Sequence, residues 1–525
     1  MGNKQSTGKK GGSKHKINKN DNDQPSESLQ NNLVALDKHR GDEYNISVED
    51  LGAGKETKIK KAHLKKYCKT AKNSGDVAIK LFDGNTAHSN DFQTEAAILS
   101  KCDHPNIVKL FEITTVDSRM SLVLELCDGG SVLDRLPYTE DEASKIVRQV
   151  ASAISYMHGK NIVHRDIECS NILYSTSHEK SEVKLVDFGS ATELETIPNH
   201  PGAFKFLKEK TGSLSVMAPE VLRGKYGPKV DVWSVGIVAH TLLNNGKAPF
   251  KGKTKQELEP KILQGYISYN DWEHSELAKD FCQNTCMVNV AHRLAASTVL
   301  FHSWIASERK STFKVLPVEL VTSFSFYRTA LPLKRIALNA LARKIKSSKY
   351  RETFEHINKS HTGLITNEEF MEAFKHSGNS KSELDDLYDS LDINVNGGIT
   401  YTEFIAATLE TGGELEDDQL HEAFNLISSN GRYITQKDVE DIVSESLKDR
   451  DNMTVVQDKV ERQMSRFTKK HKKQKIRYLD FTKMFEHGFK DLRSIDTLVE
   501  TSLNAEQFKR LNAEEQSAHL MAINE

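Results

Sequence analysis

Apolar residues change their spacing along this chain of 525 residues. Asp76-Val-Ala-Ile-Lys-Leu-Phe82 and Ser121-Leu-Val-Leu-Glu-Leu126 are short apolar runs rich in branched residues and read as strands. Asp141 to His158 sets its apolar residues at helical spacing, and Trp233 to Leu243, interrupted by Ser234 and His240, reads as a buried helix. All 11 prolines lie at or before Pro332, so the following 193 residues should be mostly helical. An α+β domain followed by an all-α domain is predicted. Residues 1–45 hold too few apolar groups for a core and are expected to be disordered.

At roughly 150 residues per domain, the length suggests about three to four units. The charges nearly cancel, 72 Lys+Arg against 74 Asp+Glu, so no bulk field favours nucleic acid as a partner. No apolar run is long enough to span a bilayer. Six irregularly spaced cysteines and the lack of a secretory signal point to a reducing, cytoplasmic setting.

Met1-Gly2-Asn3-Lys4-Gln5-Ser6 fits the N-myristoylation pattern, with Gly2 as acceptor. One acyl chain holds a membrane weakly, and six lysines without an acid in the first 20 residues could supply the second attraction, to anionic inner-leaflet lipid. The expected location is cytoplasmic and peripherally membrane-associated. A solvated basic tail is the plainer alternative.

Several motifs occur in one order: Val77-Ala-Ile-Lys80, Glu95 in a helical run, His164-Arg-Asp166, Asn171, Asp187-Phe-Gly189, Ala218-Pro-Glu220, Asp231 and Arg293. Over residues 46–305 this series resembles a protein kinase, and the order is far more specific than any one triplet. The resemblance implies that Lys80, held by Glu95, contacts the ATP phosphates, that Asp187 and Asn171 hold Mg2+, and that Asp166 accepts the hydroxyl proton. Gly52, Gly54, Glu125 and Cys127 are implied as further nucleotide-binding positions. Glu220 with Arg293, and Asp231 beneath the catalytic loop, are expected to be structural.

The departures bear on activity. Thr57 stands where the glycine-rich loop has its third glycine, and Glu56 where an aromatic residue is usual. Glu168 replaces the lysine that touches the γ-phosphate; at an effective dielectric of about 20, like charges at roughly 4 Å cost about 4 kcal/mol. Ser213 replaces the threonine that bonds the catalytic aspartate, with its hydroxyl still on offer. Ser131 replaces the glutamate by which basophilic relatives bind arginine, so a preference for basic substrates is not expected.

Asp392-Ile-Asn-Val-Asn-Gly-Gly-Ile-Thr-Tyr-Thr-Glu403 matches an EF-hand loop, with calcium ligands Asp392, Asn394, Asn396, the Gly398 carbonyl, Thr400 and Glu403. Similar segments begin near 358, 428 and 469, which implies two pairs of hands. Asn358 to Glu369 carries too little charge for tight binding, and Ser428 to Asp438 is one residue short. Lys469 to Asp480 places lysines where ligands belong, and its six Lys and Arg side chains suit a solvated loop or an acidic surface. Leu331, Leu338, Leu341 and Ile345 share one face of a basic amphipathic helix at 330–346, either an EF-hand target or a core-facing helix.

Over residues 46–487 the chain resembles the calcium-dependent protein kinases of plants and apicomplexan parasites. The fold class is therefore α+β, a two-lobed protein-kinase fold followed by an all-α calmodulin-like domain of two EF-hand pairs. The expected divisions are a tail (1–45), a kinase domain (46–305), a junction helix (306–346), EF-hand pairs (347–412 and 413–490) and a helical extension (491–525). The resemblance implies a serine/threonine kinase that uses ATP, Mg2+ and Ca2+, acts on protein substrates, and is held inactive until calcium rearranges the sensor. Reliance on one well-formed loop predicts a shallow, weakly cooperative calcium response. A catalytically impaired pseudokinase acting as a membrane-tethered, calcium-responsive scaffold is the rival, favoured by Glu168 and Thr57 and opposed by the intact Lys80, Glu95, Asp166, Asn171 and Asp187.

Overall fold

The computed structural model describes residues 44–53, 57–64, 76–82, 90–198, 200, 202–270, 272–306, 318–330, 332–344, 350–360, 362–393, 397–409, 415, 417–435, 437–439 and 475–486. Gly2 and the basic tail, Gly54, Glu56, Leu331, Ile345, Asn394, Asn396, residues 469–474 and the extension at 491–525 lie outside the described residues.

The first lobe is an antiparallel sheet of β1 (Tyr44–Ala53), β2 (Thr57–Leu64), β3 (Asp76–Phe82), β4 (Leu110–Val116) and β5 (Arg119–Glu125), in the order β1-β2-β3-β5-β4. The two strands expected from the sequence are β3 and β5. Both faces of β3 are covered, which explains its continuous apolar run: Val77, Ile79 and Leu81 join one core cluster, while Ala78 and Phe82 join another. Alternation therefore puts Lys80 on the face of Ala78 and Phe82. Helix α1 (Asn90–Ser100) packs there, with Phe92 set edge-on to Phe82 at 5.2 Å between ring centroids.

The second lobe is helical. Helix α2 (Glu140–Gly159) starts at a capping box between Thr139 and Glu142 and buries one face, from Ala143 to Met157. Helix α3 (Lys229–Leu243) is buried from Val230 to Leu243, as its near-continuous apolar run predicts, and packs between α2 and α4 (Glu276–Thr285). No disulfide links the described cysteines. Among the described residues, no helix is long and apolar enough to cross a membrane.

The junction differs from the single helix expected. Among the described residues two helices occur, α5 (Val318–Thr329) and α6 (Pro332–Lys344), separated near the Ala330 and Pro332 positions, where proline restricts the preceding backbone. Leu320, Phe324 and Tyr327 of α5 fill the core of the first pair, with Phe324 5.7 Å from both Phe374 and Phe404 between ring centroids. Burying one such phenylalanine contributes about 1.5–3 kcal/mol. Helix α6 is apolar on two faces: Leu338 and Ala342 meet the first pair, and Leu333, Ala337 and Leu341 meet the second. Its Lys334 is buried, with the ammonium 5.2 Å from the Phe485 ring.

The first pair comprises α7 (Arg351–Ile357), α8 (Asn367–Phe374), α9 (Lys381–Leu391) and α10 (Tyr401–Thr408); α11 (Asp417–Ile427) and α12 (Tyr478–Glu486) belong to the second. Among the described residues two short antiparallel ladders interrupt the helical tail: Leu364 faces Thr400 beside Ile365 and Ile399, and Ile434 faces Ile476. The lysine-rich fourth loop thus retains the ladder of a hand.

Candidate active site and calcium hand

The sheet and α1 bring together residues from three parts of the chain. Lys80 Nζ lies 2.7 and 2.8 Å from the two carboxylate oxygens of Glu95 and 2.8 Å from Asp187 Oδ1. Burial disfavours the Lys80 charge, but Glu95 and Asp187 outweigh it and hold the ammonium's pKa above its ordinary value. For Asp187 too, burial pushes upward and Lys80 pulls harder, so its pKa lies below the usual range. Asp187 and Arg165 both adopt positive φ, 58° and 68°. This strained backbone is held by surrounding bonds.

The catalytic loop is fixed from below. The backbone N–H groups of His164 and Arg165 donate to the two oxygens of Asp231 at 2.9 Å each, and His158 Nε2 lies 2.8 Å from it. Burial alone would raise the Asp231 pKa, but these bonds and the His158 charge lower it. Asn171 Nδ2 donates to the Asp166 carbonyl at 3.0 Å. The Ser213 backbone N–H, rather than the hydroxyl expected from the sequence, donates to Asp166 Oδ1 at 2.7 Å. Its neighbour Gly212 has φ +89°, and an added Cβ there would fall 2.2 Å from the Arg165 carbonyl oxygen. Only glycine permits this approach. Arg293 grips both Glu220 oxygens at 2.5 and 3.0 Å, the buried brace expected of them.

Other positions answer the sequence differently. The Glu168 carboxylate accepts the Ser170 hydroxyl at 2.6 Å. Glu125 turns its carboxylate into a buried pair with Lys184 at 3.0 Å and gives its N–H to the Lys109 carbonyl, so what it can offer a nucleotide is its own carbonyl. Cys127 follows it, half-buried, and Gly52 lies in β1 opposite Ile59. Glu209 was not foreseen: Arg165 Nη1 lies 3.2 Å from its carboxylate and 3.3 Å from the Tyr226 hydroxyl, while Arg165 Nε donates to the Ser190 carbonyl at 2.6 Å. A basic residue beside the catalytic aspartate was the only sequence cue, because its partner is 44 residues away.

In the second hand, Asp392 and Glu403 are both buried. The Gly397 N–H donates to Asp392 Oδ2 at 3.1 Å, and the Ile393 and Thr400 N–H groups donate to the two Glu403 oxygens at 3.0 and 2.9 Å. Two carboxylates with the Thr400 hydroxyl and Gly398 carbonyl form a hard-oxygen set that suits calcium. Among the described residues no three His, Cys, Asp or Glu side chains gather as a metal cluster. In the first hand the hydroxyls are taken up within the loop: Ser360 donates to the Asn358 amide oxygen and bonds the Thr362 hydroxyl, and Thr362 donates to the Leu364 carbonyl. The third closes likewise, with Asp438 accepting the Ser429 and Thr435 N–H groups. Asp187 Oδ2 and Asn171 Oδ1 are hard oxygens that suit magnesium.

A protein kinase domain model matches residues 46–305, and an EF-hand domain pair model matches 347–409. The chain is 32% identical to calcium-dependent protein kinase 5 of Plasmodium falciparum (isolate 3D7) over 79% of its own length and 73% of the relative's. It is 32% identical to calcium-dependent protein kinase 5 of Plasmodium berghei (strain Anka) over 75% and 71%, and 30% identical to calcium-dependent protein kinase 9 of Arabidopsis thaliana over 68% of each chain. The scaffold without catalysis finds no support in these likenesses.

Proposed function

The chain belongs to the calcium-dependent protein kinase family, and from that premise we propose how its residues share the work of a calcium-regulated serine/threonine kinase that moves the ATP γ-phosphate to protein hydroxyls. The Lys80–Glu95–Asp187 triangle carries this reading, because it is the charge arrangement that phosphoryl transfer requires. Lys80, kept charged and aimed by Glu95, binds the α- and β-phosphates. Asp166, steadied by the Ser213 N–H and the Asn171 amide, takes the proton of the acceptor hydroxyl and orients its oxygen. Mg2+, held by Asp187 and Asn171, would neutralise the phosphate charge.

Regulation rests on the Asp392–Glu403 loop, the hand with the fuller carboxylate set. Gly2 acylation beside six lysines would hold the enzyme at an anionic cytoplasmic membrane surface, a reading supported by the sequence pattern. Purified full-length protein should transfer the γ-phosphate of ATP to a protein hydroxyl faster with calcium than in chelator. Asp166→Ala should lower the calcium-stimulated rate by about 10²–10⁴-fold. A wild-type rate no higher than that of Asp166→Ala would refute the assignment.

A further inference from the structure

The first EF-hand pair packs directly against the kinase. The Thr402 hydroxyl donates to Asp103 Oδ1 at 2.7 Å, and the Thr402 N–H donates to Asp103 Oδ2 at 3.3 Å, across 299 residues. Thr402 precedes Glu403, the last ligand of the calcium loop, and lies in the first turn of α10, where exposed N–H groups favour a carboxylate. Close by, the turn glycine of the first hand, Gly363, abuts Tyr156 of α2: a Cβ there would fall 2.3 Å from the Tyr156 ring. The Tyr156 hydroxyl accepts the Asp103 N–H at 2.8 Å and donates to the Lys101 carbonyl at 3.2 Å. Buried Arg351 adds a third tie through Asn106 Oδ1 at 2.8 Å and an ion pair with Glu182.

Asp103 lies three residues beyond α1, and the N–H groups of Lys101 and Cys102 continue that helix by bonding the Ile98 and Leu99 carbonyls at 3.0 and 3.1 Å. Helix α1 carries Glu95. Building on the calcium reading of the second hand, we propose that Asp103 is a positioning residue: it receives the calcium-binding hand at Thr402 and conveys its state to α1 and so to the Lys80–Glu95 pair. Glu403 would hold the calcium ion, and its neighbour Thr402, in the first turn of α10, is the residue that Asp103 grips. The docked arrangement occurs together with the closed Lys80–Glu95 pair, so docking favours the assembled active site. Calcium that activates must then favour docking, and by reciprocity the Asp103 contact must raise calcium affinity.

The test measures calcium affinity of the full-length chain by calorimetry, and α1 protection by amide hydrogen exchange with and without calcium. Asp103→Ala and Thr402→Val should each weaken calcium binding by about fivefold or more, the double variant should be no weaker than either single, and α1 should lose its calcium-dependent protection. Thr402→Ser, which keeps the hydroxyl, should restore wild-type affinity and guards against misfolding as the explanation. Asp103 lies outside the calcium loop, so an affinity unchanged by Asp103→Ala, or a double variant showing the full product of both losses, overturns the proposal. Should wild type take up no calcium, the functional reading fails and this inference with it; calcium uptake and calcium-stimulated transfer that are both indifferent to Asp103 sink this inference alone.

Discussion

The catalytic centre and the calcium hands both rest on carboxylates, but they are assembled over very different lengths of chain. Lys80 meets Asp187 across 107 residues and His164 meets Asp231 across 67, whereas Glu403 closes its hand on Ile393, 10 residues back. A hand is therefore a local object that survives loss of its ligands. The first and third hands keep their turn glycine, short ladder and closing acid without the second hand's carboxylate set. The catalytic centre has no such independence, because its charges are matched only when the lobes and loops are in place.

That contrast can be broken most forcefully in the second hand. Asp392→Ala with Glu403→Ala should abolish the calcium response while the hand stays folded and calcium-free transfer persists; a response of wild-type size would mean that another hand carries the switch. Next in size is Glu168→Lys, which replaces an anion by a cation beside the developing charge. Because Ser170 already engages that carboxylate, a rate gain of about tenfold is expected in a transfer assay rather than several decades.

Glu369→Ala separates fold from binding in the first hand. Glu369 accepts N–H groups from Ser360 and Thr366 as part of a capping box, so its loss should cost about 1 kcal/mol in denaturant unfolding and leave calcium affinity unchanged.

A pH-dependent effect on stability concerns Lys109, buried where the kinase meets the sensor. Its ammonium donates to the Ala342 carbonyl at the end of α6 at 3.4 Å, and burial with help from Lys184 pushes its pKa down to about 8. A lysine depressed in the folded state binds fewer protons there than in the unfolded chain. Stability should therefore rise as pH increases from about 8 towards 10.5, the ordinary value, and Lys109→Met should remove that slope in pH-dependent unfolding.

Much of the fold was legible locally. The short branched apolar run of β3, the apolar face of α2, the continuous run of α3 and the 12-residue calcium loop each specify an element from neighbouring residues alone. The motif order singles out Lys80, Glu95, Asp166, Asn171 and Asp187, and the structure joins Lys80 to Glu95 and Asp187, and Asn171 to Asp166. Helix α5 was not expected as a separate element, although Leu320, Phe324 and Tyr327 carry helical spacing. Glu209, Arg351, Asp103 and Thr402 had no such signal, since nothing beside them in sequence shows what they face.

The sequence by itself determined which elements form, because propensity, alternation and capping act between residues a few positions apart. It also determined the chemical inventory, because a lysine, three acids and an asparagine carry their charge and coordination chemistry wherever they lie. Only the tertiary structure decided that Ser213 uses its backbone, that Glu125 turns away to Lys184, and that the calcium hand grips Asp103. Those outcomes depend on which distant surfaces close against each other, and packing sets that across 47 to 299 residues, beyond the reach of local pattern.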